Sequence, residues 1–140
     1  MNLPEKIYVD VIIRDGHGGF LLQHHPQSEL KPWRFPGGKP EPGETLIGAA
    51  AREAREELGI EPLALKYIGK KSSTVESGTW MGYMFLCDRY LGEPKIVEDE
   101  KHDKLGWFLA EQIVGEPERT FAYIVARGQY PEDALDANPR

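Results

Sequence analysis

The sequence has a single cysteine, no long apolar run and no basic leader segment. Cys87 alone forms no intramolecular disulfide and no multi-cysteine zinc site, which favours a reducing compartment. No apolar run approaches the roughly 20 residues that a membrane span requires. Residues 1–6 lack the basic start and apolar stretch of a secretory signal. These absences predict a cytoplasmic protein with no membrane partner.

Positive charge is also in short supply. The chain has 17 Lys and Arg against 23 Asp and Glu, a net charge of −6, and such a surface repels the backbone of duplex nucleic acid. A small anionic substrate stays compatible if metal ions carry the positive charge. The 140 residues contain no repeat and no long polar linker, so we expect one domain over 1–140, as a monomer or homodimer.

Apolar periodicity predicts an alternating α/β chain. Ile7, Val9, Val11 and Ile13 share one face of a half-buried strand over 7–14. A return strand at 20–24 is expected to form a hairpin with it. Further strands are predicted at 33–35, 63–75, 79–90 and 105–109, and a closing helix at 119–127.

A proline-rich and glycine-rich loop leads into the most strongly predicted helix. Residues 26–43 hold five prolines and three glycines, which excludes a helix there. From Thr45 to Leu58 the chain is rich in alanine, arginine and glutamate, and Gly59 is a suitable terminator. We therefore expect a constrained loop that delivers its backbone to the start of a helix.

Three carboxylates share one face of this helix. With Glu53 at zero, Glu56 lies at about −60° and Glu57 at about +40°, beside the apolar stripe. Like charges at this spacing repel one another, and a divalent cation would turn the repulsion into coordination. Carboxylate ligands suit Mg²⁺ or Mn²⁺. The alternative is a solvated acidic face that Arg52 and Arg55 partly neutralise.

The loop and helix together carry a longer pattern. Gly38, five residues, Glu44, seven residues and then Arg52-Glu53-Ala54-Arg55-Glu56-Glu57-Leu58-Gly59-Ile60 resembles a complete Nudix box over 38–60. Chance agreement at nine positions in 23 residues is very unlikely. The segments at 33–38 and 98–108 resemble the flanks of the same family, so the resemblance covers most of the chain.

The resemblance implies a Nudix-type α/β/α sandwich with a mixed β-sheet and the box helix packed on it. It also implies metal-dependent hydrolysis of a nucleoside diphosphate linked to another group. The family's metal ligands correspond to Glu53, Glu56, Glu57 and the carbonyl of Gly37. Arg52 would orient these carboxylates. Glu44 would either pair with Arg52 or complete the metal site.

The proton acceptor has two competing sources. A carboxylate within hydrogen-bond reach of the attacking water takes its proton. Members of the family differ in which glutamate does so, and here the box competes with a downstream loop. Glu98 and Glu100 are the loop candidates because of their spacing to Trp107. The alternative for both is a merely solvated charge.

Recognition of the base is less sharply patterned. Trp33 and Phe35 enter the metal loop and are our candidates for stacking on a nucleobase, whereas Trp80 and Tyr83 are expected to be core. Arg34 and Lys39 are candidates for phosphate contacts, with simple solvation as the alternative. The four histidines have no spacing typical of a metal motif and are interpreted as ordinary surface or strand-end residues. They are His17, His24, His25 and His102.

The preferred function is that of a MutT-like pyrophosphohydrolase, which would cleave a nucleoside triphosphate or related nucleotide to a nucleoside monophosphate and pyrophosphate. The alternative within the enzyme class is a pyrophosphatase acting on ADP-ribose or another nucleotide sugar. A noncatalytic nucleotide-binding module of the same fold is the alternative of a different class. Loss of box glutamates would favour such a module, but all of them are present.

Overall fold

A computed structural model describes residues 6–27, 32–75, 78–97 and 102–130. In chain order the regular elements are β1 (Lys6–Ile13), β2 (Phe20–His24), β3 (Trp33–Arg34), β4 (Gly37–Gly38), α1 (Leu46–Leu58), β5 (Glu61–Val75), β6 (Gly78–Leu91), β7 (Lys104–Phe108) and α2 (Glu118–Ala126). A 3-10 turn at Ala110–Gln112 precedes α2. The predicted elements are therefore confirmed, with boundaries that move by one or two residues.

The central sheet is mixed, as expected. Its strand order is β4-β1-β6-β5, with β1 parallel to β6 and antiparallel pairing elsewhere. A smaller antiparallel sheet has the order β3-β2-β7. The α/β sandwich with the box helix on a mixed sheet is confirmed.

The predicted hairpin between the first two strands is wrong. β1 and β2 belong to different sheets, and a single bridge between Arg14 and Phe20 is the pairing recorded between them. The physical reason is that β1 is buried on both faces rather than one. Val9, Val11 and Ile13 pack with α1, and Ile12 packs into a second core with β2 and α2. Both edges of β1 are also occupied, one by β4 and the other by β6, so β2 pairs in the second sheet.

The two faces of β1 pack against different layers. Side chains alternate along a strand, so the odd-numbered residues meet α1 while Tyr8, Asp10 and Ile12 point to the opposite layer. Asp10 is buried there, although it is a polar residue. The even-numbered face of β1 therefore brings polar groups to the space between the two sheets.

Helix α1 is fixed at both ends by its own sequence. The Thr45 hydroxyl accepts a hydrogen bond from the Gly48 N–H at 3.1 Å, an N-terminal cap. Gly59 ends the helix with φ 67°, and its N–H donates to the Arg55 carbonyl. Small buried alanines at 49, 50 and 54 let the helix approach the sheet closely. The acidic face is thereby held in one orientation.

Within the described ranges, neither helix has the length and apolar character needed to cross a membrane. The sole cysteine, Cys87, is fully buried in the first core, and burial raises the pKa of its thiol to about 11. A thiol of this kind stays protonated at neutral pH and acts as a small core residue.

Candidate active site

The carboxylates of α1 lie at the edge of the core, as the helical wheel predicts. Glu53 and Glu57 are 8% and 4% exposed, whereas about half of the Glu56 side chain is exposed. Burying a carboxylate is costly unless it is hydrogen-bonded or paired. The partners of these three acids therefore define the site.

Arg52 is the hub of the acidic face. Its guanidinium binds Glu44 through two hydrogen bonds, from Nε at 2.8 Å and from the second terminal nitrogen at 3.0 Å. The other terminal nitrogen donates to Glu53 at 3.2 Å and to Glu56 at 2.8 Å. A further bond of 3.0 Å reaches the Lys39 carbonyl of the loop. One arginine thus ties the loop to three box glutamates.

The titration of this cluster follows from the same contacts. The hydrogen bonds from Arg52 hold the pKa of Glu44 below its usual value. Conversely, the bonds to Glu44 and Glu56 and the charge of Glu53 raise the pKa of Arg52 above its already high ordinary value. Glu44 and Arg52 are therefore both charged at neutral pH. Of the two roles left open for Glu44, the geometry shows the pairing with Arg52.

Glu57 is held from the other side of the helix face. One of its oxygens accepts a hydrogen bond from the Gly37 N–H at 2.8 Å. The other lies 3.6 Å from Nε2 of His102, which is 1% exposed. The interpretation of His102 as an ordinary surface residue is therefore wrong, although it does lie just before the start of β7. No spacing along the chain identifies it, because β2 and β7 bring its segment next to the helix through long-range pairing.

Two glycines allow the loop to lie directly against the acids. A Cβ added to Gly38 would stand 2.2 Å from an oxygen of Glu53, and one added to Gly37 would stand 2.1 Å from the Val9 carbonyl. Either contact is impossible without displacement. Gly37 and Gly38 form β4, which pairs with Val9 and Asp10 of β1. The diglycine is thus required by the close approach of loop backbone, β1 and α1.

The donor set fits a hard divalent cation. It contains three carboxylates on one helix face with the glycine backbone of β4 against them, and oxygen donors of this kind are what Mg²⁺ and Mn²⁺ prefer. Among the described residues, no three histidine, cysteine or acidic side chains converge as a ready metal cage. Glu98 and Glu100 lie outside the described residues.

A cavity of about 350 Å³ opens beside this loop, between the two sheets. Gly37, Gly38 and Lys39 form its border with the acidic face. The rest of its wall comes from both sheets and from α2. Those residues are Tyr8, Asp10, Gln23, His25, Arg34, Phe35, Ser73, Trp80 and Glu118. Its volume and its mixed apolar and polar lining are typical of small-molecule sites.

The candidates for base recognition divide between this cavity and other places. Arg34, Phe35 and Lys39 line it, but Phe35 is 3% exposed and belongs to the second core. Trp33 lies outside it and packs edge-on against His24 and Phe108. Tyr83 is core, as expected.

Trp80 differs from the expectation. Instead of being plain core it lines the cavity, with the Lys39 ammonium 5.1 Å from its ring centroid. Sequence reasoning also missed Tyr8, Asp10, Gln23 and Glu118. The available signal was the polar residues within otherwise apolar strands, at Asp10 and Gln23.

The fold and the site together indicate the family to which the chain belongs. The fold and the acid-bearing helix define an α/β domain with a glycine loop packed against a helix that carries three carboxylates. The family model of the NUDIX domain matches residues 4–127, so the chain belongs to the NUDIX domain family. The match leaves the single domain over 1–140 as a prediction.

Two curated relatives differ in how much of their length the chain spans. The CTP pyrophosphohydrolase of Escherichia coli is 38% identical over 114 residues, 80% of this chain and 81% of that protein. The NAD-capped RNA hydrolase NudC of Vibrio vulnificus is 34% identical over 93 residues, 66% of this chain but only 34% of that protein. Among solved structures, the MutT NUDIX hydrolase of Burkholderia pseudomallei superposes with a TM-score of 0.74 at 25% identity, covering 84% of this chain and 94% of that one.

Proposed function

We propose that the chain is a metal-dependent pyrophosphohydrolase that cleaves a nucleoside triphosphate or related nucleotide to a nucleoside monophosphate and pyrophosphate. The observation that carries the proposal is the complete acidic face of α1, tied by Arg52 and by Gly37 against a glycine loop that borders a cavity. Similarity to a CTP pyrophosphohydrolase over four fifths of both chains supports the choice of a nucleotide substrate.

Glu53, Glu56, Glu57 and the Gly37 carbonyl are the residues that would hold Mg²⁺ or Mn²⁺. Such an ion neutralises phosphate oxygens and lowers the pKa of a bound water. Arg52 keeps the carboxylates in place, because it binds Glu53 and Glu56 at the same terminal nitrogen. A scaffold fixed before substrate arrives reduces the reorganisation needed during reaction.

The protein's other groups would position the substrate. Lys39 lies at the border between cavity and acidic face, where a cation favours the phosphate chain. Trp80 offers an aromatic wall to a base in the cavity. The proton acceptor is proposed to be a box glutamate or one of Glu98 and Glu100. A cytoplasmic location is proposed with it, on the single cysteine.

The test is hydrolysis of a panel of ribo- and deoxyribonucleoside triphosphates, with ADP-ribose and a nucleotide sugar included. Each nucleotide is incubated with Mg²⁺, with Mn²⁺ or with a chelator, and the products are identified by ³¹P NMR. We expect monophosphate and pyrophosphate from a triphosphate, and no reaction with chelator. Release of inorganic phosphate, cleavage of ADP-ribose alone, or no reaction with any compound would contradict the proposal.

A further inference from the structure

The wall of the cavity contains a buried amide that the fold does not satisfy. Gln23 is 1% exposed, and neither its amide nitrogen nor its oxygen has a hydrogen-bond partner among the described residues. Nε of Arg34 is buried and unpartnered within the same ranges. An unsatisfied buried polar group lowers stability, so a ligand is a natural partner for one that lines a cavity.

Strand pairing places these two groups side by side. Gln23 of β2 lies directly opposite Arg34 of β3, so both side chains leave the small sheet on one face. Both line the cavity. Together they offer one guanidinium, which only donates, and one amide, which both donates and accepts.

Two carboxylates line the same cavity. Glu118, at the start of α2, is 1% exposed and accepts a hydrogen bond of 3.3 Å from the Phe35 N–H. Asp10 is buried on β1 and lines the same space. Burial, together with the charges of Asp10 and Glu118, raises the pKa of Tyr8, which lines the same cavity, to about 12.

This arrangement matches one kind of nucleobase edge. A carboxylate attracts an amino group and repels a carbonyl oxygen, whereas a guanidinium prefers the carbonyl. Cytosine and guanine present both groups on one edge, and uracil and hypoxanthine have no exocyclic amino group. We propose that Gln23, Arg34 and Glu118 select a nucleobase that carries an exocyclic amino group beside a carbonyl.

This inference rests on the proposed function in that it assumes a nucleotide substrate, and it is tested first by binding without hydrolysis. Isothermal titration measures the Kd values of CMP and UMP, and of GMP and IMP. We expect the amino-bearing member to bind at least about tenfold more tightly in at least one pair, because a site built for a hydrogen bond rejects the analogue that lacks it. Equal affinities in both pairs would overturn the proposal.

Glu118→Gln assigns the preference to this carboxylate. The amide keeps the shape but adds a donor, so the ratio of Kd values should fall to within about threefold. Glu116→Gln is the matched control, since Glu116 is exposed near the start of the same helix and bonds to Thr120 instead. An unchanged ratio in Glu118→Gln, or an equal change in both variants, would overturn the assignment.

Gln23→Met provides a second test of the proposal if Glu118→Gln does not fold. An apolar side chain of similar length removes the unsatisfied amide, so Tm should rise by roughly 3–8 °C while the binding preference weakens. A fall in Tm with an unchanged preference would show that the amide has a structural role only.

The failures of the two proposals are distinguishable. Base-selective binding that responds to Glu118→Gln, together with no hydrolysis of any triphosphate, leaves the selectivity site standing and refutes the proposed function. Hydrolysis of triphosphates without any base preference leaves the proposed function standing and refutes the selectivity site.

Discussion

The acidic face of α1 and the cavity between the sheets are neighbours, yet they are assembled in different ways. The acidic face comes from one loop and one helix, and its charges are tied together by Arg52. The cavity draws Tyr8, Gln23, Trp80 and Glu118 from four elements that are far apart in sequence. A local motif can therefore carry the reaction while residues from distant parts of the chain select the substrate.

The largest loss of activity is expected when a carboxylate of α1 loses its charge. Glu53→Gln and Glu57→Gln should each lower kcat by at least about a hundredfold, because each removes a proposed metal ligand. Steady-state kinetics with circular dichroism checks this. Glu61→Gln is the control, since Glu61 is exposed and pairs with Arg55. Near-wild-type turnover in both box variants would show that the acidic face is not catalytic.

Replacing Arg52 tests whether its bonds to the three box glutamates support turnover and stability. Arg52→Lys cannot keep two bonds to Glu44 and one each to Glu53 and Glu56, so we expect a loss of roughly tenfold to a hundredfold in kcat and about 1–3 kcal/mol in the free energy of unfolding. Arg55→Lys is matched, because Arg55 binds Glu61 through two bonds on the exposed side of the same helix. Equal losses in the two variants would contradict a special role for Arg52.

Two tryptophan variants test which aromatic side chain contacts the base. Trp80→Ala should change the ratio of kcat/KM between competing nucleotides, with a stacking loss of roughly 1–3 kcal/mol. Trp33→Ala should instead lower Tm and reduce activity on all nucleotides alike, because its ring packs against His24 and Phe108. If the ratios of kcat/KM change in Trp33→Ala and not in Trp80→Ala, Trp33 is the stacking residue, as the sequence predicted.

The smallest expected effect is the pH dependence of stability. Because Arg52 lowers the folded-state pKa of Glu44 below 4.5, its stabilisation is fully present above that value and is lost as the pH falls through the lowered pKa. Urea unfolding of the chelated protein between pH 6 and about pH 3 should therefore show a shallower decline for Glu44→Gln than for the unchanged chain. Parallel curves would place the acid sensitivity elsewhere.

The two regions also differ in how far the sequence predicts them. The helix, its caps and its three acids follow from spacing alone, since their partners in the loop and the helix lie within about twenty residues. Gln23, His102 and Glu118 do not, because their surroundings depend on pairing between β2, β3 and β7 and on the packing of α2. The hairpin error has the same origin. A period of two identifies one face of β1, but not that the other face is also covered.

The most direct test of this division of labour compares one variant from each region on the same substrates. The values of kcat/KM for CTP, UTP, GTP and ITP are measured for the unchanged chain, for Glu57→Gln and for Glu118→Gln. We predict that Glu57→Gln lowers all four values by a similar large factor, whereas Glu118→Gln changes their ratios. Altered ratios in Glu57→Gln, or a uniform loss in Glu118→Gln, would contradict the separation of chemistry from selectivity.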